Sequence, residues 1–138
     1  MGRVAFFGLL LFCTAGCITT AEPNRPPIQP LPAADGAAMS YKEVMIRARA
    51  LASTANEAFY IDQWVEVEKA AANLEETAQY IPRSTEIPGA RKASLEARSL
   101  DLAKAAQALR SAAKAKDEKT TNETMQRINL LVRELRPE

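Results

Sequence analysis

From Tyr41 to Leu135 the apolar side chains recur every three or four residues, the spacing that places them on one face of an α-helix. The pattern runs in four stretches, and a few polar residues or prolines separate each stretch from the next. It predicts four amphipathic helices, at about 41–60, 63–81, 90–116 and 118–135. Four such segments with short connections are typical of an antiparallel up-down-up-down four-helix bundle. We therefore expect an all-α domain over residues 40–138.

Residues that cap helices stand where three of these segments begin. Ser40 and Glu43 match a capping box, in which each side chain bonds to the backbone amide of the other residue. Asp62 is expected to cap the second helix and Asp117 the fourth, because an aspartate there accepts hydrogen bonds from backbone amides. A proline directly after the second segment predicts its end, with a loop over residues 82–89.

The second and third predicted helices carry opposite charges. Residues 62–81 hold five acids and one base, a net charge of −4, whereas residues 89–116 hold seven bases and two acids, a net charge of +5. Because flanking charges select helix partners in coiled coils, we expect these two helices to lie side by side. The alternative is that the basic face of the third helix meets an acidic partner.

The first seventeen residues have the composition of an export signal. Arg3 precedes an apolar run at residues 4–13, and small residues follow before Cys17. A charged start, a short apolar run and small residues before a cleavage site make up a secretory signal peptide. The run is too short for a transmembrane helix, which needs about 20 residues. We therefore expect residues 1–16 to be removed.

The sequence Ala15-Gly16-Cys17 resembles the lipobox of bacterial lipoproteins. The resemblance implies that Cys17 becomes the mature N-terminus and carries a covalent lipid, whose acyl chains, such as palmitate, anchor the protein in the cell envelope. Thr14 stands where the family prefers leucine. An aspartate after the cysteine resembles an inner-membrane retention signal in Gram-negative lipoproteins, and Ile18 stands there instead. This favours the outer membrane, with the protein facing the periplasm.

Residues 17–39 are rich in proline and small residues, and they are expected to link the lipid anchor to the bundle. Such a sequence favours an extended polyproline II spacer that rises about 3.1 Å per residue. Twenty residues of it would reach roughly 60 Å. The proline spacing also fits a P-x-x-P ligand, which stays open as an alternative.

The chain contains no histidine, and this excludes several kinds of chemistry. Nucleophiles that use a histidine base, and zinc or haem ligated by histidine, all need this residue. Cys13 leaves with the signal peptide, so Cys17 has no disulfide partner. Removal of residues 1–16 also removes one arginine and leaves 17 bases against 17 acids, which is no indication of nucleic-acid binding. We expect no enzyme activity, no catalytic residue, no metal and no bound cofactor.

The four predicted helices resemble the cytochrome c-prime-like bundles, a family of exported four-helix proteins. Asp62-Gln63-Trp64 is similar to an Asp-Trp pair at the same place in that family, and the likeness covers about residues 40–136. The family's haem motif, Cys-x-x-Cys-His on the last helix, is missing, because residues 128–134 read Ile-Asn-Leu-Leu-Val-Arg-Glu. The resemblance therefore implies a haem-free relative that keeps the scaffold.

Two functions are compatible with these patterns. The first is a non-catalytic binding or structural role, with a protein partner on a helix face. The second is a carrier of a small ligand, a metal or haem in the bundle interior, with Met45 and Met125 as candidate soft ligands. Methionines on an apolar stripe are more often part of a core. Core packing or a solvated helix face is expected for the other candidates, which are Trp64, Tyr60, Tyr80, Glu66, Glu68, Glu75 and Glu76.

Overall fold

The computed structural model describes residues 28, 30–32, 38–87 and 89–136. The predicted signal peptide (1–16), Cys17 and most of the predicted linker (17–39) lie outside the described residues. Within the described ranges the chain is helical, with α1 at Tyr41–Tyr60, α2 at Trp64–Tyr80, α3 at Lys92–Ala115 and α4 at Glu118–Glu134. Short 3-10 turns at Ile81–Arg83 and Gly89–Arg91 flank the loop between α2 and α3. The all-α prediction is confirmed, and every predicted helix boundary is within two residues of the observed one.

One apolar core joins the four helices. Each helix contributes fully or almost fully buried aliphatic side chains, among them Val44, Leu74, Leu109 and Ile128. Full burial of such a side chain stabilises the fold by about 1.5–3 kcal/mol. Much of the remaining core is alanine, whose small side chain lets helices approach closely. Each helix packs against the next one along the chain, and α4 also packs against α1. Of these four pairs, α2 and α3 pack most extensively and α1 and α4 least extensively.

Two of the three predicted N-caps are confirmed. The Ser40 amide donates to Glu43 Oε2 at 2.9 Å, and Ser40 Oγ accepts from the Glu43 amide at 3.4 Å, which completes the capping box of α1. Asp117 caps α4, and its Oδ1 accepts from the Thr120 amide at 3.0 Å. These bonds satisfy backbone amides that a helix start leaves without an intrahelical acceptor.

The predicted cap at Asp62 is wrong. Asp62 has a φ of 56°, in the left-handed region, and the N-cap of α2 is Gln63, whose side chain makes no capping bond. Asp62 instead helps to end α1: its amide donates to the Phe59 carbonyl at 3.1 Å, and the Gln63 amide donates to the Ala58 carbonyl at 2.8 Å. This pair of bonds is a Schellman motif, which needs a left-handed residue after the helix. A tight turn therefore uses Asp62 to finish one helix rather than to start the next.

Contacts between residues far apart in the sequence bring the start and the end of the helical region close together. The Tyr41 hydroxyl, at the start of α1, donates to the Leu135 carbonyl just after α4. Burial raises the pKa of Tyr41, with Arg91 and Arg49 opposing the shift, so the hydroxyl keeps its proton at neutral pH. The backbone around Ser40 forms a parallel bridge with Thr85 in the α2–α3 loop. The start of α1, the end of α4 and this loop therefore meet at one end of the molecule.

Two residues of the predicted linker, Ile28 and Met39, pack against the core. Ile28 is half-buried and contacts the apolar cluster.

The expected charge pairing between α2 and α3 is present at Arg110. Its guanidinium group lies 4.0 Å from Glu68 Oε1 and 3.9 Å from Glu75 Oε2, both on α2. α3 also pairs with α4, through Arg98 and Glu134 at 3.2 Å. Because these side chains are substantially exposed, the ion pairs influence which helices lie side by side more than they stabilise the fold.

The Asp117→Asn variant is expected to lose less stability in acid than the parent protein. Hydrogen bonds from Thr120 lower the pKa of Asp117 below its usual 3.8. A carboxyl group with a lowered pKa stabilises the folded state above its unfolded pKa, and this contribution disappears as the pH falls through the folded pKa. Asparagine also caps helices but does not titrate. Thermal unfolding followed by circular dichroism, from about pH 6 to about pH 3, measures the difference. An equal fall in Tm for both proteins would contradict the prediction.

A basic groove between the first and fourth helices

An open groove of about 700 Å³ lies between α1 and α4. Of the four pairs of neighbouring helices, α1 and α4 pack least extensively against each other. We call its ten lining residues the basic groove: Arg49, Ala52, Ser53 and Asn56 from α1, and Gln126, Asn129, Leu130, Val132, Arg133 and Arg136 from α4 and the residues after it.

The charge of the basic groove is entirely positive. Among the residues that the structure describes, three arginines line it and no aspartate or glutamate does. Elsewhere on the surface Arg98, Arg110 and Lys69 lie within 4.0 Å of acidic side chains. Within the described part of the chain, the groove arginines form no such ion pair. Arg49, Arg133 and Arg136 are exposed to solvent.

The other lining side chains are neutral amides, a hydroxyl and small or branched apolar groups. Asn56, Gln126 and Asn129 each offer an amide donor and acceptor. Leu130 is 50% exposed and provides an apolar contact. On α1, the Ser53 hydroxyl donates to the Glu57 carboxylate at 3.0 Å. The groove can thus pair carboxylates with guanidinium groups, hydrogen-bond a peptide backbone and contact an apolar side chain.

The sequence-predicted ligand candidates lie away from this groove. Met45 and Met125 are buried in the apolar core, where flexible side chains fill irregular space. Glu68 and Glu75 face Arg110 across the α2–α3 interface. Glu66 pairs with Lys69 on its own helix at 2.8 Å.

The aromatic candidates lie near helix ends. Trp64 is half-buried and packs edge-to-face against Phe59, with ring centroids 5.5 Å apart. Tyr60 is 82% exposed, and Ile61 and Val65, close to it in the sequence at the α1–α2 turn, are exposed as well. The hydroxyl of Tyr80 accepts from the Met39 amide at 3.1 Å.

The arginines of the basic groove were not singled out from the sequence. The signal that could have found them is a second stripe on each helix, beside the apolar one. Arg49, Ser53 and Asn56 follow it on α1, and Gln126, Asn129 and Arg133 follow it on α4, with helical spacing and no acid among them. A polar stripe of this kind is common on a surface helix. The two stripes form a site only because the fold places α1 beside α4.

In the portion of the chain that the structure describes, no helix is long and apolar enough to cross a bilayer. The same portion holds no group of three or more histidine, cysteine, aspartate or glutamate side chains arranged to bind a metal ion. Compared with known protein families, curated proteins and solved structures, the chain matches none of them.

Proposed function

We propose that this chain is an exported bacterial lipoprotein, anchored through a lipid on Cys17, whose helical domain has a non-catalytic binding role in the periplasm. The observation that carries the anchor is Ala15-Gly16-Cys17 directly after a charged start and a short apolar run. Three acyl chains on the cysteine exceed the two signals that stable membrane attachment requires. The residue after the cysteine favours the outer membrane.

We further propose that the four helices form an antiparallel up-down-up-down bundle. The turns between α1 and α2 and between α3 and α4 are only a few residues long, which favours antiparallel neighbours. The Tyr41–Leu135 hydrogen bond supports opposite directions for α1 and α4. For α3 and α4 the support is Arg91, just before α3, whose side chain donates to the Glu134 carbonyl at 3.3 Å and the Arg136 carbonyl at 3.0 Å.

The support for a binding role is the basic groove. It is open to solvent, it lies on two helices that a rigid core holds in place, and its arginines have no acidic partner among the described residues. The alternative role, as a carrier of a small ligand or metal in the interior, would require room among the core side chains. Met45 and Met125 lie there among tightly buried leucines and alanines, and so we favour the groove.

The Cys17→Ser variant is expected to lose membrane association and to keep its signal peptide. Serine has no thiol to receive the lipid, and cleavage of a lipoprotein signal is expected to follow lipidation. The measurement is cell fractionation together with the mass of the purified protein. Cys13→Ser, which changes a cysteine within the predicted signal peptide, is the matched control and should remain lipidated. If Cys17→Ser is processed and fractionates with membranes like the parent, the lipoprotein proposal is wrong.

A further inference from the structure

We propose that the basic groove binds an extended acidic peptide segment of another protein, with its carboxylates on the groove arginines and an apolar side chain against Leu130. This inference rests on the binding role proposed above, but not on the lipid anchor. It names the class of ligand, an acidic peptide, that the basic groove would bind.

Charge complementarity is the first argument. Arg49, Arg133 and Arg136 place three positive charges along one groove, and no acid among the described residues lines it. Guanidinium groups bind carboxylates through two parallel hydrogen bonds, a geometry that lysine does not match. The mature chain has no overall basic excess, so the charge is a local property of this groove rather than of the whole surface.

The length of the groove fits a short extended peptide. On the α4 side the lining runs from Gln126 to Arg136, which is about 15 Å at 1.5 Å per residue of helix. An extended peptide rises about 3.3 Å per residue, so four to five residues cover this distance. A segment of that length offers room for two carboxylates and one apolar side chain.

The two ends of the groove differ, and this sets the orientation of the peptide. In the proposed antiparallel order, Arg49 lies towards Arg133 and Arg136, whereas Asn56 lies towards Gln126. The acidic residues of the ligand therefore belong at the arginine end, and its neutral backbone belongs at the amide end.

The same features favour a peptide over an anionic membrane surface. A groove is concave, whereas a lipid headgroup layer presents a broad flat face. Asn56, Gln126 and Asn129 have both donors and acceptors, which match the alternating amides and carbonyls of a peptide backbone. An anionic lipid surface would use the arginines but not these acceptors.

The test is a fluorescence anisotropy titration of the purified full-length protein in detergent. The probe is a labelled pentapeptide, Glu-Asp-Leu-Asn-Ala, and the comparison peptide is Lys-Arg-Leu-Asn-Ala. We expect the acidic peptide to bind at least about tenfold more tightly, with an affinity that falls as salt screens the charges. The groove variant Arg49→Gln/Arg133→Gln/Arg136→Gln is expected to lose at least about tenfold in affinity.

A second triple variant controls for net charge. Arg83→Gln/Lys104→Gln/Lys114→Gln removes three exposed cations outside the groove and should weaken binding by less than about twofold. Melting curves establish that both variants are folded. Equal losses in the two variants would overturn the proposal, as would no binding of the acidic peptide at about 1 mM. Groove-dependent binding to phosphatidylglycerol vesicles without peptide binding would overturn it in favour of a membrane surface.

The binding role itself is tested separately, by a photocrosslinker at Asn129 in the lipidated protein in cells. A specific partner captured there, combined with no binding of either peptide, would overturn the acidic-peptide assignment and leave the binding role in place. If no partner is captured and neither peptide binds, both the binding role and the acidic-peptide assignment are wrong. A captured partner whose crosslinked segment is acidic would support both.

Discussion

The Leu102→Ala variant is expected to unfold with a free energy about 2–5 kcal/mol lower than the parent. Leu102 is fully buried on α3, inside the cluster that joins all four helices. The substitution removes apolar contacts and leaves a cavity that the surrounding helices close only in part. Urea unfolding followed by circular dichroism measures the change, which should appear as a lower midpoint with an unchanged slope.

Leu100→Ala is the matched control for this experiment. It makes the same chemical change two residues away on the same helix, but Leu100 is 56% exposed. The expected change in its free energy of unfolding is within about 0.5 kcal/mol. Similar losses for the two variants would mean that α3 does not turn its Leu102 face to the core, and the proposed packing would be wrong.

The Thr77→Val variant is expected to lower the free energy of unfolding by about 1.5–3 kcal/mol. Arg47 is only 8% exposed, and its Nε donates to Thr77 Oγ1 across the α1–α2 interface at 3.0 Å. Burial lowers the pKa of Arg47, while the negative charge of Glu76 opposes this shift. Valine keeps the shape of threonine but cannot accept the bond, so a buried charged group loses an acceptor. Chemical denaturation again provides the measurement.

Thr121→Val makes the same substitution in a different setting and should have the opposite effect. Thr121 is also fully buried, but its Oγ1 has no hydrogen-bond partner within the described residues. Replacing this hydroxyl by a methyl group removes a desolvated polar atom, and we expect a gain of up to about 1 kcal/mol. Destabilisation by both variants to the same extent would contradict the assigned role of the Thr77 hydroxyl.

Much of the helical structure could be predicted because its causes are local. The three- and four-residue spacing of apolar side chains places α1 to α4, and the Ser40–Glu43 capping box involves residues only three apart. Asp62 shows the limit of this approach. Its side chain suits an N-cap, but the preceding helix uses the same residue in the left-handed conformation that ends α1. The same residue could cap the start of α2 or end α1, and the geometry of the tight turn between the two helices determines that it ends α1.

The buried Arg47–Thr77 pair and the basic groove could not be predicted in this way. Residues 47 and 77 lie on different helices, and the sequence spacing does not show that their side chains meet across the α1–α2 interface. The groove joins residues near 50 to residues near 130, with the two intervening helices between them in the chain.

The residues alone specify four amphipathic helices, two of their three predicted caps and the absence of histidine chemistry, and they predict an export and lipidation signal at residues 1–17. These properties depend on composition and on neighbours within a few positions. Helix packing determines which polar stripes face each other, because that depends on the fit of side chains across the core. The loose contact between α1 and α4 therefore turns two ordinary stripes into one basic groove.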